Sequence, residues 1–481
     1  MKKIKEEQKN MEKTRKTNNK SKNKKIVKSQ KGITLVALVI TIIIIIILAT
    51  VTINMAFGDN GLITQAQKAK DMTANSVVAE QEGINSVLSE YLNVMAEDSE
   101  ITPPTPPVET PQTDGSFSEK EGVNTPNIGA NMQLVVFDAD SNTWVEDTTK
   151  EAYSYVDTST EGANSSEWAN AKVTTQVGEQ TVESYFVWIP RFAYKIIGTN
   201  NIDIKFIKGT GKETVDGTPC KYVSENPTAD DYIVHPAFTD EEENGGWDTQ
   251  ISGIWVGKYE TSSVEGNSNS TADNVTTKTA QVRPGVSSWR YIQIGNMYTV
   301  AKAYAPSLES HMLKNSEWGA VAYLTESKYG RNGTEVTINN NGTTYYTGGG
   351  AGNAYVTNTP QSSTGNVYGI YDLSGNAWEY VASYYKDGDF SYANSAFTTG
   401  TSDKYSTAYD GTNVNTDYKY GDATYETSGW HSDSASFVDS DIPFFSRGGY
   451  YLDDSYAGVF YFSGDNGLNY SGSSFRLSLV L

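Results

Sequence analysis

The chain begins with a polar segment, continues into one long apolar run, and then alternates short apolar stretches with polar loops. The run from 33 to 53 has 21 residues without a charge and includes six consecutive isoleucines. As an α-helix it would be about 31 Å long, which matches the hydrocarbon core of a bilayer. A buried core helix is the alternative, but the length and the apolar composition favour a single membrane-spanning helix.

Charge divides the chain at this run. Residues 1–31 hold 13 Lys and Arg against 3 Asp and Glu, a net charge of +10. The whole chain has 37 basic and 58 acidic side chains, so the other 450 residues have 24 and 55, a net charge of −31. Because basic flanks stay in the cytoplasm, we expect residues 1–31 inside the cell and the acidic body on its surface. Such an acidic body repels phosphate backbones, so nucleic acid is not an expected partner.

Two further segments precede the body. Apolar residues at helical spacing predict an amphipathic stalk helix over 58–98. These residues are Val77, Val78, Ile84, Val87, Leu88, Tyr91, Leu92 and Met95. Prolines then forbid a helix in 99–127, which we interpret as an extended linker.

From 128 to 481 the chain shows short apolar and aromatic stretches separated by loops rich in Gly, Asn, Ser and Thr. This pattern favours short strands with few helices. Strands are predicted at Tyr185–Ile189, Ala193–Ile197 and Gly253–Tyr259. The clearest helix candidate is 309–324, which has one apolar face. We expect 395–435, which has little periodicity, to be a long surface excursion.

The junction before the apolar run resembles the processing site of type IV prepilins. Gly32 ends the basic leader and Ile33 begins the apolar run. The resemblance implies that a prepilin peptidase cuts between them and that 32–57 is a pilin-like membrane segment. Residues 58–66 further resemble the continuation found in pilin-like proteins of Gram-positive bacteria. Pilins carry a Glu at the fifth position after the cut, which pairs with a neighbouring subunit. Ala37 stands here, so the resemblance implies processing rather than fibre assembly.

Four segments of the body resemble, in the same order, the signature motifs of the formylglycine-generating-enzyme domain. They are Asn315–Tyr323, Gly369–Val381, Arg447–Tyr451 and Phe475–Arg476. The resemblance implies an α+β fold of the C-type-lectin-like kind for 128–481. Asn376 suits a left-handed turn and Trp378 suits pinning loops to a small sheet. We therefore expect structural roles for Asp372, Asn376, Trp378 and Glu379.

The chemistry of that family is not expected here. Formylglycine formation uses a pair of cysteines after the third motif, whereas 450–474 contains none and Cys220 is the only cysteine. The three histidines, at 235, 311 and 431, are not at metal-ligand spacing. The glycine-rich run 348–352 lacks the Lys of a phosphate-binding loop. The sequence thus predicts no enzyme and no cofactor. A structural calcium ion, which some family members bind through loop oxygens, is left open without assigned ligands.

The last part of the chain resembles the variable region of proteins that diversity-generating retroelements diversify. Residues 450–474 are dense in Tyr, Ser, Asp, Asn and Gly, a composition typical of antibody-like paratopes. The frame residues of the resemblance are Arg447–Gly449, Ala457–Phe460 and Phe475–Arg476. Every residue between them is reachable from an Asn codon by mutagenesis at adenines. The resemblance implies a variable region over 447–476 with a buried frame.

We predict that nine side chains of this region contact a ligand, either a protein or a glycan. They are Tyr450, Tyr451, Asp453, Asp454, Tyr456, Tyr461, Asp465, Asn469 and Tyr470. A plain strand-loop-strand with exposed polar residues is the alternative interpretation of the composition alone.

Together these features predict a non-catalytic, membrane-anchored cell-surface receptor or adhesin with a diversified binding face. Two alternatives are left open. One is a minor pilin-like structural subunit of a surface fibre. The other is a divergent oxidoreductase of the formylglycine-generating type, which would depend on Cys220 or on one of the histidines.

Overall fold

The computed structural model describes residues 113–395 and 397–481. The predicted leader, the processing site at Gly32 and Ile33, the membrane segment and the stalk helix lie outside the described residues. The same is true of the predicted linker up to residue 112. In the two described ranges, no helix is both long enough and apolar enough to cross a membrane.

Strands dominate the described part of the chain. The strands are β1 (Phe117–Ser118), β2 (Val123–Asn124), β3 (Met132–Asp138), β4 (Thr143–Glu146), β5 (Asn170–Val177), β6 (Gln180–Pro190), β7 (Phe192–Gly198), β8 (Asn201–Phe206), β9 (Cys220–Lys221), β10 (Tyr232–Val234), β11 (Gly253–Gly257), β12 (Ser262–Ser263), β13 (Ala280–Gln281), β14 (His311–Met312), β15 (Trp378–Tyr385), β16 (Thr407–Tyr409), β17 (Phe444–Arg447), β18 (Phe462–Asp465), β19 (Ser473–Phe475) and β20 (Leu477–Leu479). The α-helices are α1 (Thr158–Glu161), α2 (Ile294–Tyr304), α3 (Asn315–Glu326) and α4 (Val414–Asp417). The prediction of a body rich in short strands and poor in helices is confirmed.

Two sheets position the end of the chain. A seven-stranded antiparallel sheet has the order β14-β20-β11-β6-β5-β3-β4. A five-stranded sheet has the order β16-β15-β17-β18, and β19 pairs with β15 in parallel. Only Arg476 separates β19 from β20, so the chain passes directly from the smaller sheet into the larger one.

Tryptophan side chains fill much of the core. Six are fully buried: Trp168, Trp188, Trp247, Trp255, Trp289 and Trp318. Strands β6 and β11 pair at the centre of the larger sheet, where the rings of Trp188 and Trp255 lie 5.3 Å apart. Every residue from 186 to 190 is buried. A strand covered on both faces needs apolar residues at consecutive positions, which explains the unbroken apolar run there.

The strands predicted at Tyr185–Ile189 and Ala193–Ile197 are confirmed within β6 and β7. The strand predicted at Gly253–Tyr259 is present as β11, which ends at Gly257. The predicted helix is present, but it begins at Asn315 instead of residue 309. The preceding residues form β14, because they pair with β20 at the edge of the larger sheet. The carboxylate of Glu317 accepts a hydrogen bond from the backbone N–H of Lys314 at 2.9 Å, which caps the helix at its observed start.

The prediction that 395–435 is a surface excursion is wrong. Phe397 and Tyr409 are fully buried within this segment. The segment docks against α3, where the side-chain amide of Asn315 donates to the Tyr409 hydroxyl at 3.1 Å. Tertiary contacts therefore bury a stretch that shows no periodicity of its own.

The folded body also includes residues 113–127, which the sequence assigned to the linker. Asn124 is fully buried, and its side-chain amide donates to the carbonyl oxygens of Gly209 and Ser252 at 2.9 Å each. These bonds attach the start of the described chain to the body.

Substituting Gly319 tests how closely the 395–435 segment packs on α3. A Cβ atom at Gly319 would lie 1.8 Å from the carbonyl oxygen of Gly421. We expect Gly319→Ala to lower the free energy of unfolding by about 1–3 kcal/mol, because backbone must move to make room. Thermal and urea unfolding would measure this. Gly211→Ala is the control, since its added Cβ meets nothing within 4 Å. Equal stability of the two variants would contradict the close packing.

Candidate functional site: the C-terminal face

Residues 447–476 form two loops that are joined by a strand. Strand β17 ends at Arg447, and the first loop, defined as 449–457, follows it. Strand β18 then leads to the second loop, defined as 466–472, and β19 closes the segment. We call the surface formed by the two loops and the side chains between them the C-terminal face.

The frame residues are buried beneath these loops. Arg447, Gly448, Gly449, Ala457, Gly458, Val459, Phe460, Phe475 and Arg476 all belong to the core. The expectation that the frame is core is therefore confirmed. Phe460 packs edge-to-face on Trp430, with ring centroids 5.1 Å apart. The frame thus supports the loops from below and is not available to a ligand.

The first loop is closed at its base by backbone contacts. The N–H of Gly458 donates to the carbonyl oxygen of Gly448 at 3.2 Å. A Cβ atom at Gly449 would lie 2.6 Å from the Cβ of Ala457, and Gly449 has a φ of +72°. Glycine is needed there both for the left-handed backbone and for the close approach. The ends of the loop are therefore fixed whatever residues stand at its tip.

Trp378, at the start of β15, links the two loops. Its indole N–H donates to Asp453 in the first loop at 3.0 Å. Its backbone N–H donates to the carbonyl oxygen of Gly472 in the second loop at 2.9 Å. The Tyr450 ring lies on the indole with centroids 4.0 Å apart. Because Trp378 is only partly buried, it is both a support and part of the exposed surface.

A row of contacting aromatic rings extends from Trp378 to the buried Tyr345, and the last two contacts in the row are edge-to-face. Tyr450 contacts Tyr451 with ring centroids 5.3 Å apart, and Tyr451 contacts Tyr345 at 5.1 Å. The guanidinium of Arg290 lies 3.9 Å from the centre of the Tyr345 ring. Rings held by such contacts offer rigid, amphipathic area at low cost in conformational entropy.

Most of the predicted contact residues lie at the surface. Tyr456 is 63% exposed and Tyr470 is 39% exposed. Asp454 is also exposed. Tyr450, Tyr451 and Asn469 are partly exposed. These six side chains are accessible to a partner, and Tyr450 among them lies against Trp378.

Three predicted contact residues are engaged in the fold instead. Tyr461 is only 8% exposed, and burial raises the pKa of its phenol to about 12. Asp453 accepts hydrogen bonds from Trp378 and from the backbone N–H of Tyr450, at 3.0 and 2.9 Å. Asp465 accepts one from the Tyr380 hydroxyl at 2.6 Å. Composition could not separate these residues from their exposed neighbours, because the same residue types serve both roles.

The residues of the Gly369–Val381 motif have the expected structural roles. Asn376 has a φ of +62°, and its amide donates to Glu260 at 3.0 Å and to Ser288 at 2.9 Å. Asp372 accepts hydrogen bonds from Asn339 and from a backbone N–H. All of these polar groups are buried. Burial, reinforced by the nearby carboxylates of Glu379 and Asp372, raises the pKa of Glu260 well above its ordinary value.

The cysteine and two of the histidines, which are candidate catalytic or metal-binding residues, have partners within the fold. The thiol of Cys220 is buried and donates to the carbonyl oxygen of Lys212 at 3.0 Å, and burial raises its pKa. His311 and His431 each pair with a different glutamate, Glu317 and Glu326, at 2.9 and 3.0 Å. Within 113–395 and 397–481, no group of three or more His, Cys, Asp or Glu could hold a metal ion.

Sequence reasoning missed several residues that form the C-terminal face or, like the buried Tyr345 and Arg290, support it. Leu452, at the tip of the first loop, is 58% exposed, and its position between frame residues is the signal that could have identified it. Trp378 was assigned a structural role only. Tyr345 and Arg290 come from distant parts of the chain, and no local pattern marks them.

No protein-family model matches the chain. No curated protein matches it either. The function is therefore inferred from the residues and their geometry.

Asp433 lies beneath the first loop and generates a pH prediction. Its carboxylate accepts a hydrogen bond from the backbone N–H of Phe460 at 2.9 Å. Burial raises the pKa of Asp433 from 3.8 to about 7, and the carboxylate of Glu335 adds to the rise. The folded protein thus holds this proton more tightly than the unfolded chain does. The contribution of this proton to the free energy of unfolding is fully present below pH 3.8 and is lost as the pH rises through about 7.

We expect the free energy of unfolding of Asp433→Asn to fall less between pH 4 and about 7 than that of the unsubstituted protein. The reason is that the Asn amide still accepts the hydrogen bond from the Phe460 N–H but does not titrate. Thermal unfolding followed across that pH range would measure the slope. Asp387→Asn, at an exposed carboxylate, is the control and should leave the slope unchanged. An unchanged slope in Asp433→Asn would show that the carboxylate titrates alike in the folded and unfolded chains.

Proposed function

We propose that this protein is a non-catalytic, cell-surface ligand-binding protein whose C-terminal face is diversified in the manner of retroelement-targeted variable regions. The observation that carries the proposal is the division of 447–476 by burial. Frame residues are core, while the residues between them include two loops with exposed tips. The other residues between frame positions, such as Tyr461 and Phe462, are buried in or beside the strands that join the loops. A segment that must change its sequence and keep its fold needs this division.

The proposed fold is the C-type-lectin-like fold of the formylglycine-generating-enzyme type. Its support is the sheet-rich body together with the structural use of the motif residues. Asn376 occupies a left-handed turn, and Glu379 pairs with Arg476 across the two sheets. These contacts support a shared scaffold role for the Gly369–Val381 and Phe475–Arg476 motifs.

The absence of catalysis belongs to the same proposal. Thiol chemistry requires an accessible thiolate, and the thiol of Cys220 is buried with a raised pKa. His235, His311 and His431 have separate surroundings, and two of them are already paired with carboxylates. These contacts favour a binding protein over the divergent oxidoreductase.

The cellular setting is proposed from the sequence. We infer a cytoplasmic N-terminus, one membrane-spanning segment over 32–57 and an external body, with prepilin peptidase as a processing partner at Gly32. The ligand would be a protein or a glycan met outside the cell. Exposed Tyr, Asp, Asn and Leu side chains beside a row of packed aromatic rings suit either class.

Deep sequencing of codons 440–481 across a growing population tests the proposal. We expect variation confined to the codons between frame residues, with Arg447–Gly449 and Ala457–Phe460 unchanged. A uniform sequence, with no similar template copy and no reverse transcriptase gene nearby, would remove the diversification mechanism.

Stability measurements on the purified protein test whether the frame residues are buried and the loop residues exposed. Tyr456→Ala should change the free energy of unfolding by less than about 0.5 kcal/mol, because this side chain is mostly in solvent. Phe460→Ala should cost about 3–5 kcal/mol, because a fully buried ring leaves a cavity. Chemical unfolding of the two variants gives both values. Similar costs at the two positions would contradict the separation of frame from face.

A further inference from the structure

A cleft elsewhere on the body shares no lining residue with the C-terminal face. It is a cleft of about 650 Å³, within the range of roughly 300–1,000 Å³ that is typical of small-molecule sites. Strands β4 and β6 and the loops around 283–286 and 352–355 contribute to it. Its lining includes Trp144, Glu183, Tyr185, Arg283, Gly285 and Asn353.

Two partly exposed aromatic rings form one wall of the cleft. Trp144 and Tyr185 lie with ring centroids 6.2 Å apart. Phe137 and Tyr368 each pack edge-on against the Trp144 indole, with ring centroids 5.4 and 5.5 Å from it. These contacts fix the indole while leaving part of it accessible, as a stacking platform requires.

The cleft also carries a positive charge at Arg283. The hydrogen bond from Lys172 lowers the pKa of the Glu183 carboxyl, and Arg283 lies close enough to help lower it. The Arg283 side chain is exposed, and among the residues that the structure describes its guanidinium has no hydrogen-bond or ion-pair partner. Glu183 lines the same cleft, but its carboxylate is paired with Lys172 at 2.7 Å and accepts the Tyr185 hydroxyl at 3.2 Å. Its negative charge is therefore already balanced. A guanidinium free to form two parallel hydrogen bonds matches a carboxylate or a sulfate.

The loops that form the opposite wall are held close together. A Cβ atom at Gly285 would lie 2.1 Å from the carbonyl oxygen of Gly352, so no side chain fits between the two loops. The Thr347 hydroxyl donates to the carbonyl oxygen of Arg283 at 2.6 Å. The backbone that carries Arg283 is thus fixed before any ligand arrives. A preformed site loses less entropy on binding.

We propose that this cleft binds a saccharide with an acidic group, whose ring lies on Trp144 and Tyr185 and whose acidic group pairs with Arg283. A sugar ring presents an apolar C–H face and a rim of hydroxyl groups. The aromatic wall matches that face, and the polar lining of Glu183 and Asn353 matches the rim. A purely apolar ligand would offer no hydrogen-bond partner to the Arg283 guanidinium. The site lies in the part of the chain outside 447–476 and does not depend on diversification.

The test uses the full-length chain in detergent on an array of immobilised oligosaccharides. The probes are oligosaccharides carrying a uronic acid, a sialic acid or a sulfate, each beside its neutral counterpart. We expect the chain to bind acidic members and to bind their neutral counterparts at least about tenfold more weakly, a difference of about 1.4 kcal/mol. Failure to bind any acidic probe would overturn the proposal.

Three variants separate this site from the C-terminal face. Arg283→Gln should bind acidic probes only as well as neutral ones, and its exposed position leaves the fold intact. Trp144→Ala should weaken binding of acidic and neutral probes by about tenfold or more, with thermal unfolding as the check on its fold. Tyr456→Ala should leave this binding unchanged. Binding that survives both cleft variants would overturn the proposal, whereas binding lost only in Tyr456→Ala would move the site to the C-terminal face.

Discussion

The C-terminal face depends on one buried ion pair, between Arg476 and Glu379. The Nε of Arg476 donates to Glu379 at 2.9 Å, and its guanidinium also donates to the carbonyl oxygens of Gly257 and Tyr371 at 2.8 and 3.0 Å. Burial raises the pKa of Glu379, and the guanidinium opposes that rise. A buried charge is tolerated only with such partners. The pair joins β11, β15 and the β19–β20 junction. Strand β15 in turn pairs with β17, which leads into the first loop, and β19 closes the second loop.

Within residues 447–476, the frame residues support the fold and the exposed loop residues are available for binding. The two groups alternate along the sequence. Backbone hydrogen bonds and buried side chains such as Phe460 hold the frame in place. Glycine, as at Gly449, also lets two backbone segments of the frame approach closely. The loop tips contribute little to these contacts. Two carboxylates do fasten the loops to the scaffold: Asp453 in the first loop binds Trp378, and Asp465, the last residue of β18 before the second loop, binds Tyr380. A retained carboxylate at either position would preserve the loop's conformation.

Much of the scaffold could be predicted from sequence because local signals agreed with the tertiary structure. The apolar runs in β6, β7 and β11 marked strands, and the Gly-Asn turn at Asn376 marked a left-handed backbone. The prediction failed where partners came from far along the chain. Residues 395–435 have no periodicity, yet Tyr409 is buried because α3 lies against it. Likewise Tyr461 and Tyr456 are the same residue type in the same loop-rich segment, and only packing distinguishes them.

The position of Trp378 between the two loops affects how the face can change. The indole binds the first loop through Asp453 and Tyr450, while the backbone of the same residue binds the second loop at Gly472. Residues in contact with one shared group do not act additively. A replacement at Tyr450 thus alters the surroundings of the second loop as well. Evolution of this surface should show epistasis between the loops, with favourable residues selected in combinations rather than one position at a time.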